Sequence, residues 1–156
     1  MLRYTERADE VFFLDATYDG GVKVRSLTEN LAQLRQCFEK IVYREIEHEC
    51  TDEEERLMIQ FLTEATTHGY GFNLAKLYPR LSGGAAFPRA EGTPMIRPAG
   101  RRFHCSELVV FALKCVGWAV SDQSSENYLP AHLSSSWPVP LALRGDVTMG
   151  NDQIVI

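Results

Sequence analysis

"FHCSELVVFALKCVGW", residues 103–118, is apolar for most of its length and closes on a glycine. From Leu108 to Val116 the apolar residues fall on every side of a helical wheel, the mark of a helix buried all round. The spacing predicts a helix over 106–116, ended by Gly117. Cys105 stands at its mouth and can be read in two ways. Free cysteine is among the most buried residue types, so it serves often as a small core side chain. At a helix start, however, the macrodipole and the unpaired N–H groups favour a thiolate. Cys115, deep in the same helix, has neither feature and reads as core, as does Cys37. Cys50 reads as a surface or loop thiol.

Upstream lies "SGGAAFPRAEGTPMIRPAGRR", residues 82–102, a long irregular loop rich in glycine and proline. Loops of this length in compact domains are functional or disordered. Cys105 follows it directly, at a loop-to-helix junction where a substrate has room to approach. Residues 10–16, "EVFFLDA", predict a buried strand. The Asp19–Gly20–Gly21 turn signal and the alternating Val22 and Val24 predict a second strand paired with it. Ser26 and Glu29 have capping-box spacing, so a helix begins near Leu27 with Leu27, Leu31 and Leu34 on one face. "KIVYREI", residues 40–46, is a third strand candidate. Thr51 and Glu54 form a second capping-box pair, ahead of Met58, Phe61, Leu62 and Ala65 at helical spacing. That helix is expected to stop at Gly69. A short helix is expected over 73–78, turn and short helix over "SENYLPAHLSSS", and two short strands in "LALRGDVTMGNDQIVI". The class is α+β: a small antiparallel sheet packed on helices, one of them central.

The chain has 156 residues, 45% apolar and 24% charged, the composition of one globular domain. The net charge of −5 argues against nucleic acid as a partner, because phosphate binding needs a basic surface. The opening residues have no apolar signal region, and no apolar run approaches the roughly 18 residues of a membrane span. The cysteines at 37, 50, 105 and 115 have no metal-ligand spacing, and no glycine-rich phosphate loop is present. No cofactor or metal is expected. Free thiols and the missing signal together predict a reduced, cytoplasmic setting.

A thiolate nucleophile needs an imidazole within hydrogen-bond reach and a third group to orient that imidazole. Asp15 is the candidate for the third role, as the one ionisable residue inside an apolar strand, where a charge needs a partner. The alternative is that Asp15 merely ends the strand before the turn.

At these residues the chain resembles the circularly permuted NlpC-like papain-fold family of YiiX-type proteins. "FHCSELVVFALKCVGW" is similar to its nucleophile helix, an aromatic pair followed by Cys-Ser-Glu-Leu-Val. "VFFLDATYDGGVKVRSL" resembles its strand with an acidic residue and a glycine-rich turn, and "KIVYREIE" the strand after it. "GYGFNLAKLY" and "NYLPAHLSSS" match further segments in order. The resemblance runs from about residue 10 to the end. It implies a papain-like fold with Cys105 as nucleophile and Asp15 as the polar third member, where the family more often has Glu. It implies a structural role for Glu107.

The family's histidine lies on a strand ahead of the acidic residue, and no histidine precedes Asp15 here. His104 adjoins Cys105, but neighbouring side chains on a helix do not face each other. His48, His68, His104 and His132 all read as surface or capping residues. The expectation is a single domain over 1–156, incomplete at its N-terminus, or one that has lost the base, or one that has recruited another histidine. The function implied is a thiol hydrolase-like domain acting on an amide or ester bond of a small-molecule, peptide or lipid-like substrate. Backbone N–H groups near Cys105 and Ser106 would hold the oxyanion. The competing readings are a non-catalytic binding module and, more weakly, a redox-sensing thiol.

Overall fold

The computed structural model describes residues 11–17, 21–66, 69–70 and 102–154. Strands β1 (Phe12–Thr17) and β2 (Gly21–Ser26) form an antiparallel hairpin, with Leu14 opposite Val24 and Asp15 opposite Lys23. Gly21 has φ of 66°, a left-handed conformation that suits glycine at the end of the turn. Side chains alternate across a strand. One face of the hairpin therefore carries Leu14, Ala16 and Val22, which pack on the core. The other carries Asp15, Lys23 and Arg25.

Helix α1 (Leu27–Cys37) starts where Ser26 accepts the Glu29 N–H, as its spacing predicts. Leu27, Leu31 and Leu34 are half-buried on one face, but no residue of α1 is fully buried. Cys37 is exposed for that reason, which corrects its reading as core. The strand expected over 40–46 divides into β3 (Val42–Tyr43) and β4 (Ile46–Glu47). Arg44 lies between them. Its guanidinium donates to the carbonyls of Gly150 (2.6 Å), Leu133 (2.9 Å) and Met149 (3.0 Å), so the chain bends around it.

Helix α2 (Asp52–Ala65) opens with a complete capping box between Thr51 and Glu54. It buries Met58, Phe61 and Ala65. It ends at Ala65, short of the expected Gly69, which instead starts strand β5 (Gly69–Tyr70). β5 pairs in parallel with β6 (Arg102–Phe103), the lead-in to the next helix. The helix expected over 73–78 and the loop up to residue 101 lie outside the described residues.

Helix α3 (Cys105–Cys115) is central, and Phe103, Leu108 and Val110 are the most deeply buried large side chains. It is not buried all round as expected, since Val109 is 44% exposed. Phe111 joins it to α2 and β6 through ring contacts with Phe61 (5.9 Å) and Phe103 (5.6 Å). Its end is a Schellman motif: Trp118 N–H reaches Leu113 O (2.8 Å) and Gly117 N–H reaches Lys114 O (3.1 Å). Gly117 has φ of 74°, and a Cβ there would meet nothing closer than 3.8 Å. Gly117→Ala is thus expected to cost about 1–2 kcal/mol from backbone conformation alone, read as a lower urea midpoint with an unchanged slope.

Beyond α3 the chain returns along it. Lys114 Nζ binds Ser121 O (2.6 Å) and also Gln123 O, while Ser106 Oγ donates to Tyr128 O (2.6 Å). Two single-turn 3-10 helices follow, Ser125–Asn127 and Pro130–Leu133. Strands β7 (Thr148–Met149) and β8 (Gln153–Ile154) then pair antiparallel with β4 and β3. The architecture is mixed α and β: helices with short two-stranded ladders, antiparallel except for β5–β6. The single sheet expected from sequence is thus divided among separate ladders.

Candidate functional site

Cys105 is the first residue of α3, and it is exposed while Ser106, Glu107 and Leu108 behind it are buried. The first N–H groups of a helix have no partner within the helix. The third, of Glu107, is satisfied by His104, the N-cap, whose Nδ1 lies 3.2 Å away. The N–H groups of Cys105 and Ser106 have no acceptor among the described residues.

Both nitrogens of His104 are committed. Nδ1 takes the Glu107 N–H, and Nε2 lies 3.3 Å from Glu126 O and 3.7 Å from the Glu107 carboxylate. A carbonyl only accepts, so Nε2 carries the proton and Nδ1 the lone pair. Ser106 Oγ, 3.2 Å from Nδ1, has its own proton on Tyr128 O. His104 caps the helix, the alternative left open by its sequence position.

Asp15 sits on the hairpin face away from Leu14 and Ala16. Its carboxylate lies 3.3 Å from Arg25 Nε, a diagonal neighbour across the hairpin. Among the described residues no histidine meets Asp15 or the Cys105 thiol. Cys105 and Asp15 are thus placed, but no imidazole joins them there.

The other thiols provide contrast. Burial pushes the Cys115 thiol up to about 12, with help from the Glu64 charge. Cys50 is raised by loss of solvent, then by Glu54 and Glu55. Both resist ionisation.

The residue that sequence reading undervalued is Glu54. Beyond its capping box, it is 6% exposed and gathers donors from four residues. Its Oε1 accepts from Trp118 Nε1 (2.9 Å) and Arg144 (2.7 Å). Its Oε2 accepts from Thr51 N–H (2.9 Å), the Thr51 hydroxyl (2.9 Å) and His48 Nε2 (3.0 Å). These contacts hold its carboxyl well below the usual range, the Thr51 N–H first and His48 next. Arg144 is raised by Asp146 and then by Glu54. His48 is buried here against Trp118, edge to face at 5.4 Å, and its Nδ1 faces Asp146. It is therefore not a surface residue. With its lone pairs taken, Glu54 is a structural hub and not a proton carrier. His132 is likewise tied locally: its Nδ1 accepts the Leu129 N–H, its ring contacts Trp137, and burial lowers its basicity.

A cavity of about 400 Å³ lies between the hairpin and α2, lined by Phe12, Leu14 and Val24 on one side and Ile59 and Leu62 on the other. Among the described residues no cluster of three or more His, Cys, Asp or Glu is arranged to hold a metal. No described helix is long and apolar enough to cross a membrane. No family model, no curated protein and no solved structure gives a significant match to this chain. What the fold and site define is a mixed α and β domain that presents one exposed thiol at the start of its central helix.

Proposed function

We propose that this is a thiol hydrolase-like domain of papain-like type, as the resemblance to the permuted NlpC-like family implies. The observation that carries the reading is the exposure of Cys105 on the first turn of α3, beside two N–H groups that meet no acceptor among the described residues. In this scheme Cys105 Sγ attacks an amide or ester carbonyl carbon, and the S–C bond forms as the carbonyl electrons move to oxygen. The Cys105 and Ser106 N–H groups hold that oxyanion. It collapses as the C–N or C–O bond breaks and the amine or alcohol leaves with the proton the thiol gave up; water then adds its OH to the acyl carbon and its proton to sulfur, releasing the acid and restoring the thiol. Asp15 is the polar residue of the scheme, oriented by Arg25. The four free thiols fit a cytoplasmic setting.

A second reading is a binding module without turnover. It is favoured by one observation: His104 is used up as a cap, and no other imidazole among the described residues meets Cys105. Iodoacetamide labelling of each cysteine against pH, read by peptide mass spectrometry, tests the first reading. At pH 7 Cys105 is expected to label well ahead of Cys50 and Cys115, whose thiols loss of solvent holds in the protonated form. Labelling of Cys105 no faster than Cys50 would remove the thiol chemistry and leave the binding module.

A further inference from the structure

We infer that the cavity between the β1–β2 hairpin and α2 is a binding site for a small neutral amphiphile, an alkyl chain that ends in a hydroxyl group. The inference does not rest on the chemistry of Cys105. The inner face of the hairpin divides along its length. Near the turn, Ala16 and Val22 pack on the core. Toward the open end, Phe12 and Val24 line the cavity. Helix α2 divides as well. Met58, Phe61 and Ala65 are buried, while Ile59, Leu62, Thr63 and Thr66 follow at i, i+3, i+4 and i+7 and form a second stripe along the cavity. A space of about 400 Å³ stays between the two walls. Val24 is 46% exposed and Ile59 38%, so each wall leaves a large apolar side chain in solvent that a ligand would cover.

Sites for small molecules hold about 300–1,000 Å³ and combine apolar walls with a few placed polar groups. Here Thr63 and Thr66 are the polar side chains among the described lining residues, and no charged side chain is among them. Both hydroxyl protons are committed within the helix. Thr63 Oγ1 donates to Ile59 O (2.9 Å) and Thr66 Oγ1 to Thr63 O (2.9 Å). Each oxygen keeps lone pairs, so toward a ligand it accepts. A hydroxyl group on the ligand donates and fits them. A carboxylate or phosphate would set lone pairs against lone pairs, with no cation among the described lining residues to offset its charge. An extended polypeptide would bring backbone C=O groups to a wall whose side chains offer no donor. An alkyl chain carries no such groups.

The test is calorimetric titration of the full chain with n-octanol and with octanoate, which differ only in the head group. n-Octanol is expected to saturate at one molecule per chain, to bind about tenfold more tightly than octanoate, and to raise the melting temperature, because it binds the folded state. Val24→Phe fills the cavity from the hairpin side and is expected to weaken n-octanol by about tenfold or more. Thr63→Val combined with Thr66→Val keeps the shape and removes the acceptors; it is expected to weaken n-octanol by about fivefold, the worth of one hydrogen bond. Should Val24→Phe not fold, Ile59→Phe fills the cavity from the helix and carries the same expectation. Octanoate bound as tightly as n-octanol overturns the inference, because the head group is then not read. Binding that does not saturate, or that the folded filling variant leaves intact, also overturns it. Sedimentation equilibrium without ligand completes the test. A monomer supports the inference; a dimer that Val24→Phe abolishes makes a second copy the occupant and overturns it.

Discussion

Replacing Glu54 with alanine is expected to destabilise the fold by about 3–5 kcal/mol, the range for removing one partner of a buried ion pair. The size follows from what is left behind. Arg144, His48, Trp118 and the Thr51 N–H all lose their shared acceptor at once. Each buried donor without a partner costs about 1–3 kcal/mol. Glutamine is expected to recover only part of the loss, because its NH2 group must face donors on one side. Urea unfolding of the three chains at pH 7 measures both. A loss under about 1 kcal/mol for Glu54→Ala would mean that water replaces the carboxylate and that the hub does not hold these segments together.

The same residue sets a pH signature. Its folded carboxyl lies below its unfolded value, held down by Thr51, His48, Arg144 and Trp118. Such a group contributes stability that is full above the unfolded value near 4.3 and is lost as pH falls toward the folded value. The gap between the unaltered chain and Glu54→Gln is expected to be constant from pH 7 to 5 and to narrow below about pH 4. A gap that stays constant down to pH 3 would show that the ionised form is not what the hub recognises.

The second large effect concerns chemistry. An activated ester such as p-nitrophenyl acetate is expected to place one acetyl group on Cys105, with no such adduct in Cys105→Ala. Release of that acetyl group is expected to be slow and to accelerate with added imidazole, which supplies the base that no described histidine provides. Rapid turnover without imidazole would mean that a general base reaches Cys105 from elsewhere in the chain. Acetylation spread over Cys50 and Cys105 alike would remove the distinction the structure draws between them.

Local chemistry was legible in the sequence. Ser26 with Glu29, Thr51 with Glu54, and Gly117 each marked a helix end from residues at most three apart. Both strands of the hairpin and the helix behind Cys105 were readable because their periodicity is a property of neighbours. The Glu54 hub was not, since its partners lie 64 and 90 residues away and a capping glutamate already had a sufficient explanation. Arg44 was hidden for a similar reason: its acceptors are backbone carbonyls, which carry no sequence signal. For Asp15, sequence placed it in a strand, but its face depends on which side of the hairpin meets the helices. His104 was readable only as far as a choice between surface and cap. The imidazole expected for Cys105 is not supplied by His48 or His132, which are engaged elsewhere.

The return segment after α3 has a fixed length. It is fastened near one end by Lys114 to Ser121 and Gln123, and at the other by Ser106 to Tyr128. The stretch of helix between those fastenings, from Ser106 to Lys114, is a rigid spacer about 12 Å long at 1.5 Å per residue. A rod of set length with a strand tied at both ends behaves as a gauge. A residue added or removed between 121 and 128 would have to be absorbed between two fixed ties. Variation here should therefore come as substitution and not as change in length. An engineer seeking a place to insert a tag or a loop should pass over this segment.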